Sequence, residues 1–227
     1  GWMGRVMANR QAGKWRPNIQ VQALSPGFEI NDIGFLPNVD TISSHAVMQY
    51  LNTDQTRHTR HISAWVGKWQ NWNFDGDLTG NGVNSNVIVQ FKNYWYVFGY
   101  GGGQAEKIDD RITRGGPTVL IPSSRHYGGG FGNDSSKRRT TFEFWNEIVM
   151  RRDGGGSTYY GGELNYRPSP AVRLSVRPQV GRSRNKIMYV ATLADPSYEP
   201  TFGRRYVFAE IDQRTMDLGI RTEWTMS

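Results

Sequence analysis

Glu210 and Asp217 lie on either side of a polar stretch, Asp212-Gln213-Arg214, that separates two alternating segments, Arg205–Ile211 and Thr215–Met226. If Gln213-Arg214 is a two-residue turn, Ile211 faces Met216, Ala209 faces Leu218, and the two carboxylates oppose each other. Opposed side chains on antiparallel neighbours stand about 5 Å apart at Cβ. Carboxylates at that separation can act as nucleophile and acid of a retaining glycosidase, share a proton, or bind a cation. The other outcome is a charge ladder in which Arg214 and Arg221 neutralise them. Glu143 and Glu147 sit four apart on one strand, about 13 Å, which is too far for paired work.

Other chemistry-bearing residues point less sharply. Asp75, Asp77 and Thr79 match the first three ligand positions of a calcium loop, with Gly80 at its turn. Asn86, however, stands where a bidentate Glu is required, so a polar loop is the simpler reading and no metal is expected. His58 and His61 are three apart, which in an extended chain puts them on opposite faces. Gly101–Gly103 and Gly128–Gly130 precede no Gly-Lys-Ser/Thr and no helix, so they do not make a phosphate loop. Cysteine is absent, which removes disulfides and thiolate metal sites.

The elements that carry these residues read as strands. In Ala171–Gly181, Val172, Leu174, Val176 and Val180 alternate with Arg173, Ser175, Arg177 and Gln179. In Thr215–Met226, Met216, Leu218, Ile220 and Trp224 oppose Asp217, Arg221 and Glu223. Strand side chains change face at every residue, so each segment has an apolar face and a charged one. The same pattern recurs at Ile19–Ala23, Val87–Val97 and Phe142–Met150. Thr158–Tyr166 and Lys186–Leu193 read as further strands, His61–Phe74 as a long aromatic strand whose face is ambiguous around Trp65 and Trp69, and Thr41–Leu51 as extended. Phe28–Leu36 reads as extended. Residues 101–138 form the longest irregular stretch, with a short strand at Thr118–Ile121 or a lumenal constriction carrying Arg111, Arg114 and Arg125. Pairing Tyr166 with Val172 leaves Pro168-Ser169-Pro170 as a loop and places Glu163 diagonal to Arg173 and Arg177.

The charged face then holds Glu143, Glu147, Arg151, Glu163, Arg167, Arg173, Arg177, Glu210, Asp217, Arg221 and Glu223. Mixed ionised rows belong in water or a wet channel. An aliphatic and aromatic face, with Trp and Tyr near strand ends, suits lipid. Mean hydropathy of −0.62 excludes a helical membrane protein, but a transmembrane barrel averages out to a soluble-like value. Net charge +7 and pI near 9.7 come without a nucleic-acid-binding motif, so nucleic acid is not an expected partner. A cationic lumen or anionic headgroups account for the charge as well.

Five segments carry a family likeness: Gly27–Phe35, Gln90–Trp95, Thr113–Pro117, Tyr166–Pro170 and Arg205–Phe208. They resemble the C-terminal region of a family of bacterial outer-membrane proteins of uncharacterised function. Members carry an N-terminal domain similar to family 9 carbohydrate-binding modules. The resemblance implies a barrel similar to those of TonB-dependent receptors and a link to glycan handling. It carries over no catalytic residue.

The expectation is therefore an all-β chain, residues 1–227 forming a single domain or a fragment of one. It would be an antiparallel up-and-down transmembrane β-barrel of the bacterial outer membrane, about a dozen strands here and part of a larger barrel. Its lumen, lined by Glu143, Glu147, Arg151, Glu163, Arg167, Arg173, Arg177, Arg221 and Glu223, would pass or dock a polar or anionic solute without a cofactor. The chain reads as a piece of a longer one, with a carbohydrate-binding domain or partner chain elsewhere. Two alternatives stay open: a membrane-embedded hydrolase acting through Glu210 and Asp217, and a soluble structural or adhesive β-sheet protein.

Overall fold

The computed structural model describes residues 1–29, 38–134, 138–201 and 203–225. The extended segment expected at Phe28–Leu36 lies largely outside these residues, as does Met226 at the end of the expected last strand. The chain is almost entirely antiparallel sheet. Its strands are β1 (Met3–Asn9), β2 (Trp15–Leu24), β3 (Thr41–Asn52), β4 (Thr59–Trp72), β5 (Leu78–Phe91), β6 (Trp95–Gln104) and β7 (Lys107–Asp109). They continue as β8 (Val119–Ile121), β9 (Ser124–Asn133), β10 (Thr140–Arg151), β11 (Gly156–Ser169), β12 (Val172–Ala194) and β13 (Arg204–Trp224). One 3₁₀ turn, Glu199–Thr201, sits between β12 and β13. Among the described residues no helix is long and apolar enough to cross a membrane.

Eleven strands form one sheet in the order β1-β2-β3-β4-β5-β6-β9-β10-β11-β12-β13, and β7 and β8 make a separate hairpin. Apart from that hairpin, inserted between β6 and β9, chain neighbours are sheet neighbours, the up-and-down meander that tight turns favour. The sheet does not close into a barrel among the described residues. There β1 pairs only with β2, and β13 only with β12. The two rims differ. Connections at one rim are 10–14, 53–58, 92–94, 134–139 and 170–171; those at the other include 25–40, 105–123 and 195–203. We call these the short-turn rim and the long-loop rim.

One expected turn is interior to a strand. Gln213 and Arg214 lie within β13, which pairs continuously with β12, with Thr215 opposite Gly181 and Gln213 opposite Ser183. The chain reverses instead at 195–203. There the Asp195 carboxylate is held below its ordinary range, first by the hydrogen bond from Ser197 and then by Arg205. The β11–β12 register is also displaced: Tyr166 faces Leu174 and Leu164 faces Val176. That shift is two residues, and an even slip keeps every side chain on its face.

The register confirms two chemically distinct faces. Directly paired residues share a face, so Val6, Val21, Met48, Val66, Val87, Val97, Phe131, Phe144, Leu164, Leu174 and Leu218 trace one surface across the sheet. It is open. Met216 is 84% exposed, Val6 78%, Ile220 72% and Leu218 62%. Leu24 is the one buried hydrophobic side chain among the described residues. A soluble two-layer sheet protein would cover such a surface; here nothing among the described residues does.

The polar face packs differently. Aromatic rings lie across the glycine directly opposite them: Trp69 over Gly82, Phe98 over Gly130, Tyr96 over Gly132, Trp145 over Gly161. Tyr100 over Gly128 and Tyr159 over Gly181 complete the set. The two glycine triplets thus belong to β6 and β9, where a Cβ would meet ring atoms or the neighbouring carbonyl. A ring laid flat on glycine pins register without a dry core. Gly161→Leu should therefore unfold at lower urea, by about 1–3 kcal/mol. Gly99→Ala, whose new Cβ meets nothing closer than 3.7 Å, should change the urea midpoint little.

Candidate functional site

All nine residues expected to line a lumen fall on the polar face by register. Glu143, Glu147 and Arg151 are on β10, Glu163 and Arg167 on β11, Arg173 and Arg177 on β12, Arg221 and Glu223 on β13. Most of them have a side-chain partner. Arg177 donates to Glu163 at 2.9 Å, and Arg221 to Glu223 at 3.0 Å. Arg173 gives two hydrogen bonds to Asn165 Oδ1, at 3.2 and 2.9 Å. The same oxygen accepts from Ser175 Oγ at 2.6 Å. Arg151 donates to Asn185 Oδ1 at 3.3 Å.

Glu143 and Glu163 stand directly opposite across β10 and β11. Two like charges there repel. Each has its own partner: the Tyr96 hydroxyl donates to Glu143, and Arg177 binds Glu163. This carboxylate pair was not found from sequence, because it depends on how β10 pairs with β11 around the turn at 152–155.

The Glu210/Asp217 pair does not exist. Both are on β13, seven residues and roughly 23 Å apart. Asp217 faces Gln179 on the polar side, and Glu210 is bound to Arg184. The calcium candidates fail on geometry too. Leu78–Phe91 is a strand, so Thr79 and Asn86 cannot wrap round an ion with Asp75 and Asp77. Asp77 accepts instead from Asn73, at 3.2 Å. Among the described residues no three His, Asp or Glu side chains converge on a metal position.

The strongest basic cluster is at the short-turn rim. A cavity of about 410 Å³ is lined there by Arg138, Arg139, Arg167 and Arg173, with Tyr96, Asn133, Asp134, Thr141, Glu163 and Asn165. Arg139 and Arg167 meet because Arg167 N–H donates to the Arg139 carbonyl, at 2.8 Å. Arg138 and Arg139 were missed from sequence, since they precede a strand and carry no alternation signal.

The long connection between β6 and β9 joins opposite flanks of the sheet. Arg111 donates to Asn38 Oδ1 at 2.5 Å and to the Val39 carbonyl, just before β3. A hydrogen-bonded turn, Arg114 N–H to Arg111 C=O at 2.9 Å, brings Arg114 over the Tyr189 ring on β12, at 5.6 Å. Gly116 abuts Tyr206 on β13. On a flat sheet β3 and β12 would lie roughly 34 Å apart, whereas the ends of such a turn are within about 7 Å. The sheet therefore curls round this connection. A second cavity, about 550 Å³, lies between it and polar-face residues such as Gln22, Ser43 and Asn71. Thr113, 2% exposed, donates to the Pro117 carbonyl at 2.9 Å and ties the turn together. Arg125 is not part of this connection. It lies in β9 opposite Met150, on the apolar face.

The chain belongs to the family described as a domain of unknown function, DUF5916, which matches residues 1–227. No curated protein sequence matches it. Among solved structures it is similar to an anion-selective porin from Comamonas acidovorans, with a TM-score of 0.53 and 9% identity. The match covers 96% of this chain and 58% of the porin chain. At that identity the likeness is one of fold: a large antiparallel sheet distantly related to a porin.

Arg111→Ala should release the connection from the β3 flank. Amide exchange across 107–121 should rise on the order of tenfold for the lost hydrogen bonds, while Arg125→Ala leaves it unchanged.

Proposed function

We propose that this chain is an arc of a bacterial outer-membrane β-barrel whose polar face lines a net-cationic passage for a polar, preferentially anionic solute. The observation that carries the reading is the pairing of faces. Met216, Leu218 and Ile220 lie open while Asp217, Arg221 and Glu223 share the side with the basic rows. Hydrocarbon is the solvent that makes such a face favourable. The apolar rows support it in length: Val172–Val180 and Met216–Trp224 each run about nine residues, the span of a tilted membrane-crossing strand. Aromatics gather on this face at the short-turn rim, Trp15, Tyr50, Trp95 and Trp224, with Trp72 at the other. Short turns at one rim and long connections at the other also suit an outer-membrane barrel.

The passage would select by charge. Arg138, Arg139, Arg167 and Arg173 outnumber Asp134 and Glu163 around the short-turn cavity, and a low-dielectric wall strengthens their field. The 105–123 connection is the constriction, anchored on both flanks. The likeness to a porin named as anion-selective agrees with this charge balance. Closure would come from strands that pair with the free edges of β1 and β13. The carbohydrate-binding domain that the family resemblance implies remains part of this proposal and connects the solute to glycans. The hydrolase alternative has lost its carboxylate pair. The soluble alternative finds no cover for the apolar face among the described residues.

In planar bilayers the full-length protein should give an anion-leaning reversal potential. The double change Arg167→Glu and Arg173→Glu should lower the anion-to-cation permeability ratio severalfold, on the order of threefold. Cation preference in the unmodified protein would overturn the reading.

A further inference from the structure

A second cationic group lies on the wrong side of the sheet for a passage. Register puts Arg182 and Arg214 directly opposite each other on β12 and β13, one step beyond Val180 and Met216 on the same face. One step further, Arg184 faces Asp212, and Gly156 and Met150 connect that row to Arg125 on β9. The apolar face therefore ends, at the long-loop rim, in an ionic belt of Arg125, Arg182, Arg184 and Arg214. Asp212 and Glu210 pair with two of these, Arg182 and Arg184, so four guanidinium groups meet two carboxylates. The paired arginines remain open, with side chains 58% and 47% exposed. They hold donors free beyond those committed to the carboxylates.

The other rim of the same face is built differently. It presents Trp15, Tyr50, Trp95, Phe142, Tyr166 and Trp224, an aromatic border without a comparable arginine row. A molecule that fits the long-loop side must bring hydrocarbon against Val180, Met216, Tyr160 and Tyr127, and an anion about one strand step higher. That is the shape of an anionic lipid. Fork-shaped guanidinium groups also suit phosphate oxygens better than a diffuse counter-ion atmosphere.

We infer that Arg125, Arg182, Arg184 and Arg214 form a headgroup-binding belt for anionic phospholipids at the long-loop rim. This rests on the membrane-barrel reading, but not on any solute passing the interior. The belt orients the chain: phosphate-rich lipid lies against the long-loop rim, and the aromatic border meets the opposite leaflet. The β12–β13 ribbon beyond the belt, 185–211, then stands clear of the membrane.

The test uses the protein reconstituted in phosphatidylcholine vesicles doped with phosphatidic acid. Native mass spectrometry after extraction reads which lipid stays bound. The unmodified protein should retain phosphatidic acid over phosphatidylcholine. The double variant R182Q/R214Q should lose that preference by on the order of tenfold, as two juxtamembrane charges predict. R182K/R214K should keep most of it, and R173Q, on the opposite face, all of it. Equal retention of both lipids, or an unchanged preference in R182Q/R214Q, overturns the belt while the barrel reading stands. Failure of the protein to enter either vesicle overturns both.

Discussion

A β-sheet satisfies its backbone hydrogen bonds and then has two faces to account for. In this chain one face is mostly apolar between its rims, and among the described residues no second layer covers it. Everything else follows from that constraint. A soluble domain gains most of its stability by burying such a surface against another layer; here Leu24 alone is buried among the hydrophobic side chains described. On the proposed reading an apolar solvent outside the chain replaces the missing layer. The polar face would then be the inner one, and it holds its shape with hydrogen bonds, ion pairs and rings laid on glycine.

The polar face shows how mixed charge is held by specific partners. Glu143 and Glu163 are set opposite each other, yet each is bound, one to Tyr96 and the other to Arg177. Asn165 gathers Arg173 and Ser175 on a single oxygen. These contacts orient the arginines and leave charge facing the cavity at the short-turn rim. The aromatic–glycine pairs do the packing. Because the rings need bare backbone opposite them, Gly128, Gly130 and Gly132 are structural in a strand that would otherwise look too weak to form.

Much of this was legible in the residue pattern, and the failures have physical causes. Alternation assigns face correctly even where register is wrong, as at Tyr166, because a two-residue slip preserves parity. It fails at Gln213-Arg214 because the apolar row stops at Met216 while the backbone runs on. Arg214 and Asp212 continue the same face as ions, so the end of a hydrophobic band passed for the end of a strand. The Glu210/Asp217 pair was a product of that false turn. Arg125 was misplaced for a related reason: next to glycine-rich strands with little apolar signal, its face cannot be read until β9 is paired with β10. The anchoring of Arg111 at Asn38, far away in sequence, leaves no local trace at all.

The central claim is the orientation of the two faces, and the absence of native cysteine makes it directly measurable. Single cysteines from Met216 to Ile220, each carrying a nitroxide label, can be read in lipid for collisions with oxygen and with a water-soluble nickel chelate. Labels at Met216, Leu218 and Ile220 should respond to oxygen, and those at Asp217 and Gly219 to the chelate. If the even positions are shielded from both reagents, the aliphatic row lies in a dry protein interior and the account is wrong.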